Sequence, residues 1–445
     1  MVQSFYECVH DTQFSDLPTD VVDLGKRCII DLIGVAACGS TTKLSGIIRN
    51  HAVDQFAAGN NAARMLFDGR QVSPAGAALA GGMTIDALDA HDGHRLTKGH
   101  VGCGVLPAAL ASLEACGNDD GGDLLCAVVI GYELGTRAGI ALHRTACDYH
   151  TSGAWVAIAC AAITARVLGL GAAQTREAIG IAEYHGPRSQ MMRCIDSPTM
   201  LKDGSGWGAM AGVSAAYLAK NGFTGAPAIT VEDDKVADLW GDIGVNWRIF
   251  EQYFKPYPVC RWAQPAVEAT LNLRRAHRAD AEDIAHIEIV TFHEASRLAT
   301  RQPKNTEEAQ YSLAFPTAAA AVRGKVGPDE VADNALTDPA ILRLCKSMKV
   351  TELKNYNKLF PARRFAHVTF MMKDGTKLVS EPTEPRGDPG TRLSNIEIAG
   401  KFHASAAPIL GEDRVTRIER HVNGLGSGTS LAELLSDITP GAAFS

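Results

Sequence analysis

The segment LDAHDGHRLTKGHVGCGVLPAALA, residues 88–111, places Asp89, His91, Asp92, His94 and His100 ahead of an apolar Ala/Leu run that reads as a helix. Three chemistries fit these residue types. The spacing His91-x2-His94-x5-His100 beside two carboxylates superficially suits a divalent metal. No second group of ligands stands at metal spacing, however, and no HExxH helix occurs. A polar loop capping the following helix is the bland alternative. The preferred reading is a metal-free site in which His and Asp exchange protons with a substrate, because imidazole titrates near neutral pH.

Three further stretches carry residues of the same kind. DYHTSGAW (148–155) puts Tyr149 and His150 at the start of a helix capped by Thr151 or Ser152, where free backbone N–H groups favour anions. RCIDSPTMLKDGSGWGAMAG (193–212) sets Lys202 before Gly204, Gly206 and Gly208. It follows no expected strand and lacks the Lys-Ser/Thr of a P-loop, which argues against a nucleotide site. Two readings stay open: glycines that let backbone amides reach an anionic ligand beside Lys202, or glycines that let helices pack. YFKPYPVCRWAQP (253–265) brings Lys255, Tyr257 and Arg261 to a change in sequence character. Domain boundaries are frequent small-ligand sites; a hinge without chemistry is the alternative.

The framework that must hold these residues is mostly helical. Val21, Leu24, Cys28, Leu32 and Val35 form a helical stripe, and helices are expected near 19–38, 73–90, 105–116, 121–143, 153–168, 172–184 and 206–221, without strands between them. After 265 the pattern changes. IAHIEIVTFHE (284–294) alternates as a strand does, and RFAHVTFMMKDGTKLVSEP (364–382) reads as a hairpin around Asp374-Gly375, a pair favoured in type I′ turns. Helices are expected near 307–324 and 338–347, and again from about 392 onward. The expected fold is therefore mostly α with a smaller α+β part. An all-helical domain is formed by both chain ends (1–265 and 390–445), and an inserted α+β domain with an antiparallel sheet covers 266–389.

Composition narrows the partners. With 46 % hydrophobic and 21 % charged residues, the 445-residue chain suits a soluble protein with a large core. A net charge of −7 without a basic run argues against nucleic acid as a partner. Eleven cysteines without CxxC pairs read as reduced thiols in a cytoplasmic protein. The N-terminal residues show neither the basic nor the apolar region of a signal peptide. The most apolar stretch, 154–173, is interrupted by Arg166 and falls short of a membrane span.

Taken in order, four segments resemble the MmgE/PrpD family, which includes 2-methylcitrate dehydratase, cis-aconitate decarboxylase and iminodisuccinate epimerase. They are the Asp-rich segment ending in His and VLPAALA, the helix YHTSGAWVAIACAAITARVLGL, the Lys-then-Gly segment ending AGVSAAYLAKNGFTG, and FKPYPVCRWAQP. The resemblance implies a homodimer and chemistry without a cofactor in a cleft. Position by position it implies an acidic group at Asp89 with Asp92 beside it, histidines at His100 and His150, and lysines at Lys202 and Lys255. A family tyrosine falls on Phe315, so its role is absent or passes to Tyr311.

The chemistry implied is removal of a proton from a carbon near a carboxylate, with fixed positive charge stabilising the carbanionic state. Asp89, His100, Tyr149, His150 and Lys202 are the expected catalytic groups. Asp92, Lys98, Arg188, Lys255 and Tyr257 are expected to bind the substrate. The chain reads GHVGCGVLP where lyases of the family commonly carry His-Pro-Ser or His-Ser-Ala, and it adds Arg95 and Lys98. That departure makes a cofactor-independent epimerase of a small, iminodisuccinate-like dicarboxylate the leading expectation. A hydro-lyase acting on a 2-methylcitrate-like acid, or a decarboxylase of a small tricarboxylate, is the alternative.

Overall fold

The computed structural model describes residues 4–440; positions 1–3 and 441–445 of the expected helical part lie outside the described residues. Small residues dominate the first half, and they let helices approach until backbones touch. The elements there are α1 (Thr19–Gly39), α2 (Pro74–Asp86), α3 (Gly102–Ala115), α4 (Gly121–Thr145), α5 (Gly153–Val167), α6 (Ala172–His185) and α7 (Ser205–Lys220). Ser73 caps α2 by accepting the N–H of Gly76, satisfying one of the free donors of its first turn. α7 packs on α2, α5 and α6, while α3 lies against α2, α4 and α5. α4 is long and apolar enough to cross a bilayer, yet the whole of its most apolar stretch is buried inside the structure.

Glycines 206 and 208 serve this packing and do not cradle an anion. A Cβ on Gly206 would stand 2.6 Å from the Leu79 carbonyl oxygen and 2.7 Å from the Met83 nitrogen, both backbone atoms of α2. Gly206→Ala is therefore expected to push α7 from α2 and lower stability by about 1–3 kcal/mol. Chemical denaturation measures it, and an unchanged midpoint would refute the close approach.

The chain leaves the helical core through α8 (Gln264–His277) and enters a four-stranded sheet. Its strands are β3 (Ile284–Thr291), β4 (Lys349–Glu352), β5 (His367–Met372) and β6 (Lys377–Val379), in the order β4-β3-β5-β6; β1 and β2 are short strands introduced below. The β3–β5 and β5–β6 pairs are antiparallel, but β4 runs parallel to β3, so the sheet is mixed where an antiparallel one was expected. Only Gly375 of the turn has positive φ (89°), and Met372 and Thr376 close a three-residue loop. The Asp374-Gly375 turn is thus not type I′, which needs positive φ at both central residues. Ile287, Ile289, Val368 and Phe370 are buried under this sheet, whose strands meet α8 and a further helix, α10 (Pro339–Ser347), while α9 (Ala314–Arg323) packs on both of those helices.

The tail returns as α11 (Asn395–Leu410), α12 (Glu412–Gly424) and α13 (Leu431–Ile438). α11 packs along α1, where Gly34 faces Phe402. Lys401 on α11 donates to Asp31 (2.7 Å) and to the carbonyl of Ala90 (2.6 Å), which ties the C-terminal helices to the His-rich loop. Several elements escaped the periodicity reading, among them the short helices Phe5–His10, Met192–Asp196 and Lys354–Leu359, and two bear on the helical core. One is the helix Lys43–Gln55, and the other is a small hairpin pairing Ala63–Arg64 with Gln71–Val72; two-residue strands are too short to show an alternation.

Candidate active site

The loop between α2 and α3 is pinned from several sides. β1 (Gly93–His94) pairs antiparallel with β2 (Gln252–Tyr253), which delivers Lys255 to the loop. A Cβ at Gly93 would lie 2.5 Å from the Tyr253 hydroxyl, so only glycine fits there. Two of the three histidines are used in holding the loop: His94 meets Glu251 at 2.8 Å and His91 meets Asp86 at 3.3 Å. His100 alone of the three faces a small cavity, which Asp89, Tyr149 and Tyr253 also line.

Four cationic side chains line that cavity: Lys98, Lys255, Arg261 and Arg364. Lys255 is paired with Asp89 and Arg261 with Asp388 (2.9 Å). Arg364 is 2 % exposed and no carboxylate pairs with it among the described residues. Its Nη2 donates to the Arg95 carbonyl (3.3 Å), while Nε and Nη1 are buried without a partner. Lys98 rests over the Tyr149 ring, 4.4 Å from its centroid. A buried guanidinium with two idle donors is costly unless an anion arrives to accept them.

Asp89 sits among these charges. Burial alone would raise its carboxyl, but Lys255, then His100 and Lys202, hold it well below the usual carboxylate range. His100 Nδ1 lies 2.5 Å from the carbonyl oxygen of Asp92; a carbonyl can only accept, so Nδ1 carries the hydrogen and Nε2 is free to exchange a proton. Burial, with His91 and Lys255 nearby, keeps the imidazole pKa well below its ordinary value, so His100 is neutral in the ligand-free site.

The structure thus brings Asp89, Lys98, His100, Tyr149 and Lys255 to one cavity wall. Lys202 stands behind that wall, its Nζ donating to Gln310 Oε1 at 2.7 Å, and the same oxygen accepts the Asp89 N–H (2.8 Å). Tyr311 lines the cavity, whereas Phe315 is buried outside its lining. Four expected residues fall elsewhere. Asp92 contributes its carbonyl, while burial raises its carboxyl to about 6. His150 is outside the lining and its backbone N–H donates to His143. Arg188 is exposed. The Tyr257 hydroxyl donates to Glu268 (2.6 Å). Nor does Ser152 cap α5: its hydroxyl donates to Asp203 Oδ2 at 2.8 Å and accepts the His100 N–H at 2.9 Å. Among the described residues no cluster of three or more His, Cys, Asp or Glu is arranged to hold a metal.

The sequence reading missed Asp203, Tyr253 and Arg364. Asp203 and Tyr253 lie inside quoted segments and adjoin or nearly adjoin chosen lysines, a signal that was available. Arg364 had none, because it opens what reads as an ordinary surface hairpin.

The sequence matches known proteins along nearly the whole chain. The MmgE/PrpD N-terminal domain matches residues 3–242 and the MmgE/PrpD C-terminal domain residues 257–425. A cis-aconitate decarboxylase-like protein of Aspergillus oryzae is 23 % identical, covering 96 % of this chain and 94 % of its own. Human cis-aconitate decarboxylase is also 23 % identical, over 99 % of this chain and 95 % of its own. A mitochondrial 2-methylcitrate dehydratase of Yarrowia lipolytica is 26 % identical over 50 % of this chain and 47 % of its own.

These names correct the epimerase expectation and its isomerase class, since decarboxylases and dehydratases are lyases. The geometry gives a physical reason. Epimerisation needs proton-transfer groups on both faces of one carbon, yet the Tyr149 hydroxyl donates to the Lys98 carbonyl and His150 lies off the cavity. The altered GHVGCGVLP motif reflects packing: a Cβ on Gly102 would lie 2.6 Å from Asp92 Oδ1.

Proposed function

The chain belongs to the MmgE/PrpD family, and from that premise we propose that it is a lyase that decarboxylates a small tricarboxylate of the cis-aconitate type. The observation that carries this reading is the unpaired Arg364, buried beside Lys98 in a cavity that also holds His100. A polyanionic substrate supplies the acceptors that Arg364 lacks. In cis-aconitate, loss of CO₂ from the saturated carbon leaves an electron pair that moves into the neighbouring double bond. The far alkene carbon must then take a proton. Arg364, Lys98 and Arg261 hold the remaining carboxylates and stabilise the developing charge. His100 Nε2 delivers the proton, its basicity raised by the bound negative charge.

The second reading, loss of water from a 2-methylcitrate-like acid, is supported by the half-chain likeness to a dehydratase. Proton NMR with cis-aconitate and 2-methylcitrate, together with CO₂ detection, separates the two. CO₂ with a new terminal alkene is expected. Water loss from 2-methylcitrate without CO₂ would move the assignment to the second reading, and no turnover of either acid would overturn both. The homodimer implied by the resemblance is part of the proposal, and light scattering reads it directly.

Arg364→Gln tests the carrying observation. A hydrogen bond to a charged group contributes about 1.5–3 kcal/mol, so kcat/KM should fall about 10–150-fold. An unchanged kcat/KM would remove Arg364 from the substrate site.

A further inference from the structure

Four buried carboxylates stand around His100; that of Asp92 faces His91, Asp31 and Tyr132, and two of the others have fixed partners. Asp89 pairs with Lys255. Asp86 accepts from the Asp203 N–H (3.2 Å) and meets His91 Nε2 (3.3 Å). Asp203 differs. It is 1 % exposed, and among the described residues no Lys or Arg makes an ion pair with it. Its Oδ2 accepts the Ser152 hydroxyl and lies 3.6 Å from His100 Nε2, while Oδ1 is buried without a partner.

We propose that Asp203 and His100 share one proton, carried either on Oδ2 or on Nε2, and that Asp203 is the positioning residue through which His100 is loaded as an acid. Its catalytic half rests on the lyase reading; the proton sharing does not. Lys255 is committed to Asp89 and Lys202 to Gln310, so neither cation is paired with Asp203. A bare carboxylate in this setting is costly, and His100 is the one base facing it that has a free nitrogen. Nδ1 is committed to the Asp92 carbonyl, which leaves Nε2 to receive the proton.

The electrostatics agree. Burial, with Asp86 and Asp89 alongside, raises the Asp203 carboxyl to about 7, while His100 is lowered by burial, His91 and Lys255. The proton therefore rests on Asp203 in the empty site. The other titratable neighbours are Tyr149, Tyr311, Cys103, Cys194 and Cys260, all raised by burial and neutral, and His91, which is held on Asp86. A bound polyanion draws the proton from Oδ2 to Nε2. The C–CO₂ bond breaks, its electron pair shifts through the alkene, and Nε2 gives the proton to the far carbon. The pair regains one proton from solvent when product leaves, so each CO₂ released consumes one proton.

The test combines infrared difference spectra of the ligand-free protein across pH with kinetics of Asp203→Asn and Ser152→Ala. The protein should show C=O stretches of protonated carboxyls at neutral pH, with one component lost in Asp203→Asn and the same component shifted but retained in Ser152→Ala. Asp203→Asn should lower kcat at least about tenfold, short of the 10²–10⁴ expected for losing the acid itself, and change the pH profile; Asp203→Glu should restore part of it. Carboxyl spectra that are identical in the parent, Asp203→Asn and Ser152→Ala would overturn the sharing, since the buried Asp92 and Glu133 carboxyls contribute equally to all three. If both acids go unturned while the band behaves as expected, the lyase reading fails and the sharing stands. Equal kcat and pH profiles in Asp203→Asn and the parent would overturn the positioning role.

Discussion

Replacing Lys255 with Met is expected to cost about 3–5 kcal/mol of stability at neutral pH, the loss typical when one partner of a buried ion pair is removed. Lys255 is fully buried, bonded to the Asp89 carboxylate and to its carbonyl oxygen (3.3 Å). The variant leaves Asp89 facing only His100, Lys202 and His91, and it removes a cation from the cavity wall, so activity should be lost as well. The pH dependence has a definite sign. Asp89 has a lower pKa in the native state than in the unfolded chain, so its contribution is complete above the unfolded value of about 4. It is lost as pH falls through the native value. Denaturation of parent and variant should therefore differ most at neutral pH and converge below pH about 4. A constant gap across that range would show that packing, and not charge, holds Lys255.

His100→Asn is expected to lower kcat by about 10²–10⁴ while the protein stays folded. The side chain amide can still donate to the Asp92 carbonyl, but it has no nitrogen that gains and loses a proton. Stability carries a second signature. Native His100 resists protonation, whereas the unfolded chain takes up a proton below pH about 6.5. Stability is thus lost as pH falls from about 6.5 toward the native value, and His100→Asn should remove that part of the slope, at most about 1.4 kcal/mol per pH unit. Activity within twofold of the parent, or an unchanged acid slope, would displace His100 from the role given to it.

The helices were legible because their cause is local. Most of the expected boundaries from α1 to α7 fall within about three residues of the observed ones, and Ser73 and the Gly/Asp stops do locally what their types allow. The sheet was legible in its strands and less so in its pairing. Nothing local in Lys349–Glu352 announces a parallel partner, since a parallel neighbour is chosen by the crossover that packs α10 beneath the sheet. The site was legible as a set of dense segments. Asp89, His100 and Lys255 stand out by type, and they do meet.

What the sequence could not say is which of several similar residues faces inward. Three histidines lie within ten positions of one loop, and their separation into His91 on Asp86, His94 on Glu251 and His100 on the cavity depends on partners five to 157 positions away. Tyr257 and Tyr253 differ by four positions, yet one donates to Glu268 and the other lines the cavity. Arg364 comes from the far side of the chain, and a lone arginine before a strand carries no local mark of burial. The sequence by itself determined a mostly helical protein and the stretches where proton chemistry is concentrated, because periodicity, capping and side-chain type act over a few residues. The tertiary structure alone decided the pairing of Asp89 with Lys255, the isolation of Asp203 beside His100 and the idle donors of Arg364, because desolvation and long-range contacts set charge states there.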